Sequence, residues 1–464
     1  MRIVIVAGYA PSLVNFRAPL LRALVARGHK VMALAPPDEK GGAGAPGVEA
    51  ALRAMGVELT RFPMQRGGLN PCQDLRTLLA LRREFLLLQP DLVLAYTIKP
   101  VIYGSLAARW AGAKWAAQGA SPLAKAATPA TPASPATPAI SSKPMMAALI
   151  TGLGYAFGGI EADACSCAPG WSGRRVLSEL VLRLYRKALQ NNRVVIFQNP
   201  DDRDLFARLK LTGPGQRVAV VAGSGVDLDH FAQAPPVLSG SFADAHTGSP
   251  IFLCVARLLW AKGVGVYVEA CRLLKQRYPQ AICRLLGPLD RVPDAVSEDV
   301  VRCWREDRVV EILDPVDDVR PHLAAASVFV LPSFREGTPR SVLEAMAMGR
   351  PVVTTDVPGC RQTVEQGVTG LLVPPFEPGA LMRAMARFIE EPELIAQMGA
   401  AGRRLAEEKF DADLVVRDML AALGLAGMPT SAAEAAPDHV MGQDPDLGQD
   451  KGQVTGDKQT GEHP

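Results

Sequence analysis

The chain alternates short, continuous apolar runs with longer amphipathic segments, and this rhythm constrains the fold more than any other feature. In the first half, "RIVIVAG", "KVMALAPP" and "PDLVLAY" are apolar throughout, and amphipathic stretches such as "SLVNFRAPLLRALVARG" lie between them. A strand that is apolar on both faces must be covered on both faces, as in a parallel sheet with helices on either side. The pattern therefore predicts an α/β, doubly wound domain whose ligands bind beyond the carboxyl ends of its strands.

A second series of the same kind begins after a stretch rich in Pro, Gly and Ser that ends near residue 249. Because 464 residues exceed what one hydrophobic core usually organises, the chain is expected to hold two domains. We predict two Rossmann-like doubly wound domains, 1–235 and 250–410, that face each other across a cleft. A helix is expected over 411–427, and the segment "CRQTVEQG" of the second domain is also predicted to be helical.

Two segments lack the apolar pattern. Residues 116–144, "AAQGASPLAKAATPATPASPATPAISSKP", consist mostly of Ala, Thr, Pro and Ser, and residues 428–464 are rich in Asp, Gly, Gln and Pro. Such sequences cannot bury enough apolar surface to offset the entropy of ordering the chain. We therefore predict a disordered insertion at 116–144 in the first domain and a disordered tail at 428–464.

Composition and charge narrow the class of protein. No run reaches the length of a membrane-spanning helix, and the first residues resemble a strand rather than a signal peptide, which predicts a cytoplasmic protein. The eight cysteines lack a ligand spacing and are expected to be buried apolar residues. Residues 1–235 hold 27 Lys and Arg against 15 Asp and Glu, whereas 236–464 hold 23 against 32. The basic half suits an anionic partner such as a membrane surface, and without a recognition motif no nucleic acid is expected.

The stretch "SFREGTPRSVLEAMAMGRP" places two carboxylates, Glu336 and Glu344, on either side of a predicted helix start. Thr338 is the expected N-cap, Pro339 suits the first turn, and Gly349 with the following Arg-Pro is expected to end the helix. A helix N-terminus at a strand end offers free backbone amides and a positive dipole to a phosphate. The amides expected to do so belong to Gly337, Thr338, Arg340 and Ser341.

Two cations follow the first strand of the second domain. In "VARLLWAKGV", Arg257 and Lys262 lie at a strand end, where two cations can neutralise an anionic ligand. Without a carboxylate motif suited to a metal, this pair is expected to supply the positive charge, and no metal site is predicted. Asp314, Asp317 and Asp318 are interpreted as a solvated turn.

The segment from "PSFREG" to "TGLLVPP", with its Glu-x7-Glu spacing, closely resembles the donor-binding segment of glycosyltransferase family 4. "VARLLWAKGV" is similar to the family's diphosphate-binding motif. "NFRAPLL", "YTIKPVIYGSLAA", "ITGLGYAF", "IFQNPDD" and "GSGVDLDHF" resemble a bacterial subgroup that acts on lipid-linked oligosaccharides and capsules. The resemblance implies a GT-B fold, a UDP-sugar donor as substrate without any cofactor, and retaining transfer, with N-acetylhexosamine as the transferred sugar. It also implies a polyprenyl-diphosphate saccharide acceptor and peripheral contact with the cytoplasmic face of the inner membrane.

The resemblance also implies a role for each candidate. Glu336 would contact the transferred sugar, and Glu344 would hold the donor ribose. Arg257 and Lys262 would hold the diphosphate and stabilise it as the leaving group. The donor-binding set is Glu344, Gly337, Thr338, Pro339, Arg340 and Ser341. The candidates for the acceptor diphosphate, expected at strand ends of the first domain, are Asn15, Arg17 and Lys99, and their alternative reading is ordinary surface loop residues.

Two departures from the family pattern keep other functions open. Many relatives carry a histidine in the reacting-sugar pocket, where this chain has "TGLGYAF", and the 116–144 insertion enters just before that loop. One alternative is another GT-B enzyme, a nucleotide-sugar epimerase or a phosphorylase. The other is a catalytically idle binding subunit of a polysaccharide assembly complex.

Overall fold

The computed structural model describes residues 1–37, 45–65, 70–117, 144–153, 171–235, 250–290 and 292–426 of the chain. The predicted disordered insertion lies almost wholly outside these residues, as does the predicted tail. The exceptions are Ala116 and Ala117, which form the last two residues of a helix rather than the start of the insertion, and Pro144, which immediately precedes a strand.

The N-terminal domain is built on a seven-stranded sheet with the order β3-β2-β1-β4-β5-β6-β7 and parallel pairing throughout. Its strands are β1 (Arg2–Val6), β2 (Lys30–Ala35), β3 (Glu58–Arg61), β4 (Leu92–Tyr96), β5 (Met145–Ile150), β6 (Val194–Phe197) and β7 (Arg217–Val220). The helices are α1 (Pro11–Ala26), α2 (Ala45–Ala54), α3 (Pro71–Leu88), α4 (Ile98–Ala117), α5 (Trp171–Leu189) and α6 (Pro200–Arg208). This sheet is the doubly wound arrangement that the apolar runs predict.

The helices of this domain cover both faces of the sheet. Alternate residues of β1, such as Val4 and Ile5, belong to two different buried clusters. One cluster joins the sheet to α3, α4, α5 and α6, and the other joins it to α1 and α2. Because side chains of a strand point to opposite faces in turn, a continuous apolar run fills both clusters.

The C-terminal domain repeats this design on a six-stranded parallel sheet with the order β10-β9-β8-β11-β12-β13. Its strands are β8 (Ile251–Val255), β9 (Ile282–Leu286), β10 (Glu311–Leu313), β11 (Val328–Leu331), β12 (Val352–Thr355) and β13 (Gly370–Val373). The helices are α7 (Val264–Arg277), α8 (Glu298–Asp307), α9 (Arg320–Ala325), α10 (Arg340–Ala347), α11 (Pro378–Glu390) and α12 (Glu393–Leu405). A π-helical turn, Ala406–Phe410, follows α12 and leads to the last helix, α13 (Ala412–Ala422).

The chain crosses between the domains twice. Val226 and Phe231 were expected to belong to the first domain, but their side chains pack into the apolar cluster of the second, and the Val226 amide donates to Phe410 O over 2.8 Å. Conversely, α13 packs against α1, β6 and β7 of the N-terminal domain. By packing, the first domain therefore ends before Val226 and regains α13 at the end of the described chain.

One predicted element is wrong. The segment "CRQTVEQG" forms turns instead of a helix: the amides of Cys360 and Arg361 both donate to Val357 O, and Gly359 has a left-handed φ of +84°. The apolar and polar residues of this segment fit a helical period, but its backbone packs against the loop that carries Glu336. An alanine Cβ at Gly359 would lie 2.2 Å from Glu336 O.

Candidate active site

The loop between β11 and α10 carries Glu336, and the turn after β8 brings Lys262 beside it. Lys262 ends a short 3₁₀ helix, Trp260–Lys262, and Gly263 follows with a φ of +68°. A Cβ at Gly263 would lie 1.9 Å from Pro332 O, so only glycine lets the two segments approach this closely. The close approach places the cation of one strand end against the carboxylate of the next.

Lys262 and Glu336 form the centre of the site. Lys262 Nζ lies 2.5 Å from Glu336 Oε1, and Ser333 Oγ, 2.7 Å from the same oxygen, donates to it. Both side chains of the ion pair are largely buried, with exposed fractions of 23% for Lys262 and 11% for Glu336. Within the described chain these two contacts occupy Oε1, which leaves Oε2 as the oxygen that can accept a hydrogen bond from a ligand hydroxyl.

Arg257 lies at the same edge of the sheet but has a different partner. Its guanidinium donates to Asp290 Oδ2 over 2.7 Å, and its side chain is 44% exposed. The structure therefore pairs Lys262 with Glu336 and pairs Arg257 with a different carboxylate. An arginine with this exposure can exchange Asp290 for a phosphate, because both anions accept two hydrogen bonds from a guanidinium.

The start of α10 lies one residue later than the sequence predicts. Pro339 occupies the N-cap position and the helix begins at Arg340, so the predicted capping role of Thr338 is wrong. The Thr338 hydroxyl instead donates to Gln198 O of the N-terminal domain over 3.1 Å. Gly349, with a φ of +75°, follows the end of the helix as predicted.

Glu344 lies on α10 with its carboxylate against Arg340. The Arg340 Nε donates to Glu344 Oε1 over 2.7 Å, and the Arg340 guanidinium stands 5.2 Å from the centre of the Phe16 ring of α1. Burial raises the pKa of the Glu344 carboxyl, and the charge and hydrogen bond of Arg340 oppose that shift. Ser341 is half-buried in the first turn of the helix.

Arg17 is the one acceptor candidate that is buried. It lies in α1, not at a strand end as predicted, and its guanidinium donates to Ser224 Oγ over 3.0 Å and stacks 5.0 Å from the Tyr96 ring centre. Burial lowers the pKa of Arg17 to about 10; Tyr96 raises it and the charge of Arg340 lowers it, both by less. Its Nε is buried and has no hydrogen-bond partner among the described residues.

In the described part of the chain, the other two acceptor candidates, Asn15 and Lys99, lack a buried group without a partner. Asn15 also lies in α1 rather than at a strand end, and it is exposed. Lys99 lies in the first turn of α4, and its Nζ is 3.0 Å from Asp74 Oδ1 in a largely buried ion pair. The structure thus neutralises Lys99 within the domain.

Several residues of this site were missed by the sequence analysis. Asn199 of the N-terminal domain donates from Nδ2 to Gly337 O over 2.8 Å, and Asp202 forms an ion pair with Arg335. The Asn-Pro-Asp-Asp run at 199–202 signals a helix N-cap, but nothing local signals that the same asparagine reaches across the cleft. Ser333 and Asp290, which fix Glu336 and Arg257, carried no signal either.

No group of three or more His, Cys, Asp or Glu side chains is placed to hold a metal ion within the described ranges. Asp314 pairs with Arg305 over 3.0 Å, and Asp318 pairs with Arg320 over 2.8 Å. The cations at the edge of the cleft are Lys262, Arg257 and Arg340, and each is paired with a carboxylate, that of Glu336, Asp290 or Glu344. They suit an anionic ligand at the carboxyl ends of the strands, where ligands of doubly wound domains bind.

Known proteins share both the sequence and this architecture. Residues 15–224 match the sequence model of the family described as "Glycosyl transferase 4-like domain", and residues 249–391 match that of "Glycosyl transferases group 1". The chain is 25% identical, over 85% of its length and 91% of the relative's, to the N,N'-diacetylbacillosaminyl-diphospho-undecaprenol alpha-1,3-N-acetylgalactosaminyltransferase of Campylobacter jejuni. It is 31% identical, over 47% of its length and 54% of the relative's, to WcaL of Escherichia coli, a putative colanic acid biosynthesis glycosyltransferase.

Solved structures share the fold. HepE of Anabaena, in complex with UDP and glucose, has a TM-score of 0.64 with 17% identity and covers 91% of this chain and 99% of its own. The sucrose-phosphate synthase of Thermosynechococcus elongatus has a TM-score of 0.65 with 18% identity and covers 91% and 98%.

Two parallel, doubly wound domains that meet at this cleft define the GT-B class of glycosyltransferases. The two sequence models follow one another along most of the chain and match its two domains in turn. The chain therefore belongs to the group 1 glycosyltransferases with a 4-like N-terminal domain, and it is a glycosyltransferase.

Proposed function

We propose that the protein transfers an N-acetylhexosamine from a UDP-sugar to a polyprenyl-diphosphate-linked saccharide, with retention of anomeric configuration. The observation that carries the proposal is the contact between Lys262 and Glu336, at the strand ends of the C-terminal domain and beside the N-terminal domain. The relative from Campylobacter jejuni, which aligns along most of the chain, supports the acceptor class and the kind of sugar.

In the proposed reaction the C-terminal domain binds the donor. Glu344 holds the ribose hydroxyls, and Lys262 and Arg257 neutralise the diphosphate. Glu336 Oε2 accepts a hydrogen bond from a hydroxyl of the transferred sugar, while Gly337 to Ser341 provide backbone contacts at the start of α10. Preorganised cations of this kind stabilise the charge that develops on a leaving diphosphate and need no metal ion for it.

The proposed chemical step forms one bond and breaks one. The acceptor hydroxyl oxygen bonds to the anomeric carbon on the face from which the diphosphate departs, and the bond from that carbon to the phosphate oxygen breaks. The hydroxyl proton passes to the leaving diphosphate. Glu336, whose Oε1 is held by Lys262 and Ser333, orients the sugar through Oε2, and the diphosphate takes the proton.

Arg17 is proposed to bind the acceptor diphosphate. Its buried guanidinium forms no ion pair with any described residue, and its Nε has no partner there, so an anion would complete its contacts. The exposed Asn15 would add a hydrogen bond. Lys99 would contribute only in competition with Asp74.

The test is transfer from UDP-N-acetylhexosamine to undecaprenyl-diphosphate N-acetylhexosamine, with the product anomer assigned by NMR. We expect Glu336→Gln and Arg257→Ala each to lower kcat/KM by about a hundredfold, since each removes a charged contact to the transition state. Glu306→Gln, an exposed change on α8, is the matched control and should retain full activity.

Three outcomes would contradict the proposal. Activity of both variants within a few fold of the wild type would remove the assigned site. Isomerisation or phosphorolysis of the sugar nucleotide without glycosylated lipid would indicate a different GT-B chemistry. UDP binding without turnover of any lipid-linked acceptor would indicate a binding subunit.

The proposed acceptor lies in a membrane, and α3 offers a surface that suits it. Leu75, Leu79 and Leu87 are 53%, 44% and 65% exposed, and they recur at helical spacing together with the exposed Arg76 and Arg83. An exposed helix face on which leucines and arginines are interspersed suits contact with an anionic bilayer. No helix in the described part of the chain is long and apolar enough to span one.

Sedimentation with phosphatidylglycerol vesicles tests this contact. We expect salt-sensitive binding of the wild type and a loss of at least about fivefold in binding for Leu75→Ser with Leu79→Ser. Leu289→Ser, which changes a leucine of similar exposure in the C-terminal domain, should bind as the wild type does. Equal binding of both variants, or binding to neutral vesicles alone, would contradict the proposed surface.

A further inference from the structure

The loop that carries Glu336 is held by the opposite domain as well as by its own. Asn199 Nδ2, on the N-terminal domain, donates to Gly337 O over 2.8 Å and more weakly to Glu336 O over 3.4 Å. The Thr338 hydroxyl donates back to Gln198 O over 3.1 Å. Three consecutive residues of the loop are therefore hydrogen-bonded to two consecutive residues across the cleft.

The two surfaces are packed to van der Waals distance at this point. A Cβ on Gly337 would lie 2.4 Å from Gln198 Oε1 and 2.8 Å from Thr151 C, and one on Gly152 would lie 3.3 Å from Gly337 N. A Cβ on Gly223 would lie 2.8 Å from Thr338 Cβ. Because glycines on both sides permit the approach, the loop can keep these contacts only while the domains remain in this arrangement.

Asn199 has a second role inside its own domain. Its Oδ1 accepts a hydrogen bond from the Asp202 amide over 2.8 Å, which caps α6, and its Nδ2 also lies 3.1 Å from Asp202 Oδ2. Asp202 is fully buried and forms an ion pair with Arg335, the residue before Glu336. The asparagine and the aspartate thus connect the start of α6 to residues 335–337 through one continuous set of hydrogen bonds.

We infer that Asn199 is a positioning residue for transfer: from the N-terminal domain it fixes the backbone of Glu336 and Gly337, and so the carboxylate that contacts the donor sugar. The inference rests on the proposed role of Glu336. It assigns to domain closure a specific task, which is to complete the sugar-binding half of the donor site. The nucleotide half, around Glu344, lies within the C-terminal domain and does not need Asn199.

Asn199→Ser separates the two roles of this residue. Serine can still cap α6 by accepting from the Asp202 amide, but its hydroxyl is too short to reach Gly337 O. Asn70→Ser is the matched control, because Asn70 caps α3 through the amide of Gln73 and forms no hydrogen bond with the C-terminal domain in the described structure. Both variants should fold with the thermal stability of the wild type to within a few degrees.

For Asn199→Ser we expect kcat for transfer to fall about tenfold, the usual value of one buried hydrogen bond, while Kd for UDP, which lacks the sugar, stays within about twofold. Hydrogen exchange of the peptide 333–341 should become faster in Asn199→Ser and remain unchanged in Asn70→Ser. Unchanged kcat and unchanged exchange would overturn the inference.

The exchange measurement also distinguishes this inference from the proposed function. If the wild type transfers no sugar but Asn199→Ser still accelerates exchange at 333–341, the proposed function fails and the interdomain contact stands. If Asn199→Ser does not fold, Asn199→Thr keeps more of the side-chain volume and can still cap α6, but its hydroxyl is likewise too short to reach Gly337 O. Normal exchange in that variant would overturn the inference.

Discussion

Glu344 and Glu336 are eight positions apart in the sequence, but their carboxylates lie in different surroundings. Glu336 is held by a lysine and a serine on one oxygen, whereas Glu344 is buried against the single arginine that stands one helical turn before it. Their different partners suit the different tasks proposed for them, and burial of Glu344 raises the pKa of its carboxyl.

The raised pKa of the Glu344 carboxyl leads to a prediction of how donor binding depends on pH. Burial raises the pKa of its carboxyl above the ordinary value of about 4.3. The proposed role of Glu344, accepting hydrogen bonds from the ribose hydroxyls, suits the ionised form. The Kd for a UDP-sugar should therefore rise on acidification, and the rise should begin at a higher pH than an ordinary glutamate would give. In Glu344→Gln this pH dependence should disappear, and Kd at pH 8 should be about tenfold higher.

Calorimetric titration with a UDP-sugar between pH 5 and pH 8 measures this, because the diphosphate diester does not titrate in that range. The sign for stability is opposite: a raised pKa means that the folded chain holds the proton more tightly than the unfolded chain. The contribution of Glu344 to the free energy of unfolding therefore falls as pH rises from about 4.3 through the raised pKa. Identical pH profiles for the wild type and Glu344→Gln would contradict the assignment.

At the level of residues, the sequence predicted identities better than contacts. The sequence placed Glu336 and Lys262 just after two strands, and the structure brings the two side chains into contact, because parallel strands end at a common edge. It could not predict that Arg257 pairs with Asp290, or that Asn199 reaches Gly337. These contacts join segments that are distant in the chain, and the local sequence around either residue does not indicate its partner.

Among the elements, the turn 356–364 determines where the Glu336 loop can lie. The Glu336 amide donates to Pro358 O over 3.0 Å, and Gly359 stands directly against the Glu336 carbonyl. The helical period of this segment failed as a predictor because these contacts with the loop, which local sequence does not encode, fix the backbone in a turn. Strands such as β1 and β11 were predicted correctly because their own residues form a continuous apolar run, which indicates a strand buried on both faces.

Gly359 and Gly367 provide a matched pair for testing this turn. Both have left-handed φ values, +84° and +76°, so alanine at either costs about 1 kcal/mol in backbone conformation. A Cβ at Gly367 meets nothing within 4 Å, whereas one at Gly359 would lie 2.2 Å from Glu336 O. We expect Gly367→Ala to lower Tm slightly and to keep its kcat.

Gly359→Ala should lower Tm further and reduce kcat by at least about tenfold, because the Glu336 backbone must move to accommodate the methyl group. Thermal melts and steady-state transfer assays of the two variants measure both effects. Equal losses in the two variants would show that the contact with Glu336 O has no influence on the site.

On the scale of the whole molecule, the two domains are joined by exchanged elements. Val226 and Phe231 pack into the C-terminal core, and α13 packs onto the N-terminal sheet. The sequence predicted a helix near 411–427 but not the surface it covers, because an amphipathic pattern gives the apolar face of a helix and not its partner. Each domain therefore holds a segment that lies next to the other domain in the chain.

A substitution at Leu420 of α13 tests the packing of this helix on the N-terminal domain. It is 1% exposed and belongs to the same apolar cluster as the strands of the N-terminal sheet, although it follows the whole C-terminal domain in the chain. Leu420→Ala should destabilise the packing of α13 by about 2–5 kcal/mol through lost burial and the cavity left behind. Arg417→Ala, an exposed change on the same helix, is the control and should leave Tm within about a degree.

Hydrogen exchange shows which domain depends on α13. Because α13 covers β6 and β7, exchange in these strands should accelerate in Leu420→Ala, while β12 in the C-terminal sheet should keep its wild-type protection. The proposed nucleotide half of the donor site lies in the C-terminal domain, so Kd for UDP should not change, but kcat should fall because the closed arrangement becomes less populated. Faster hydrogen exchange confined to the C-terminal domain would contradict the packing of α13 on the N-terminal sheet. An unchanged kcat would show that α13 does not influence domain closure.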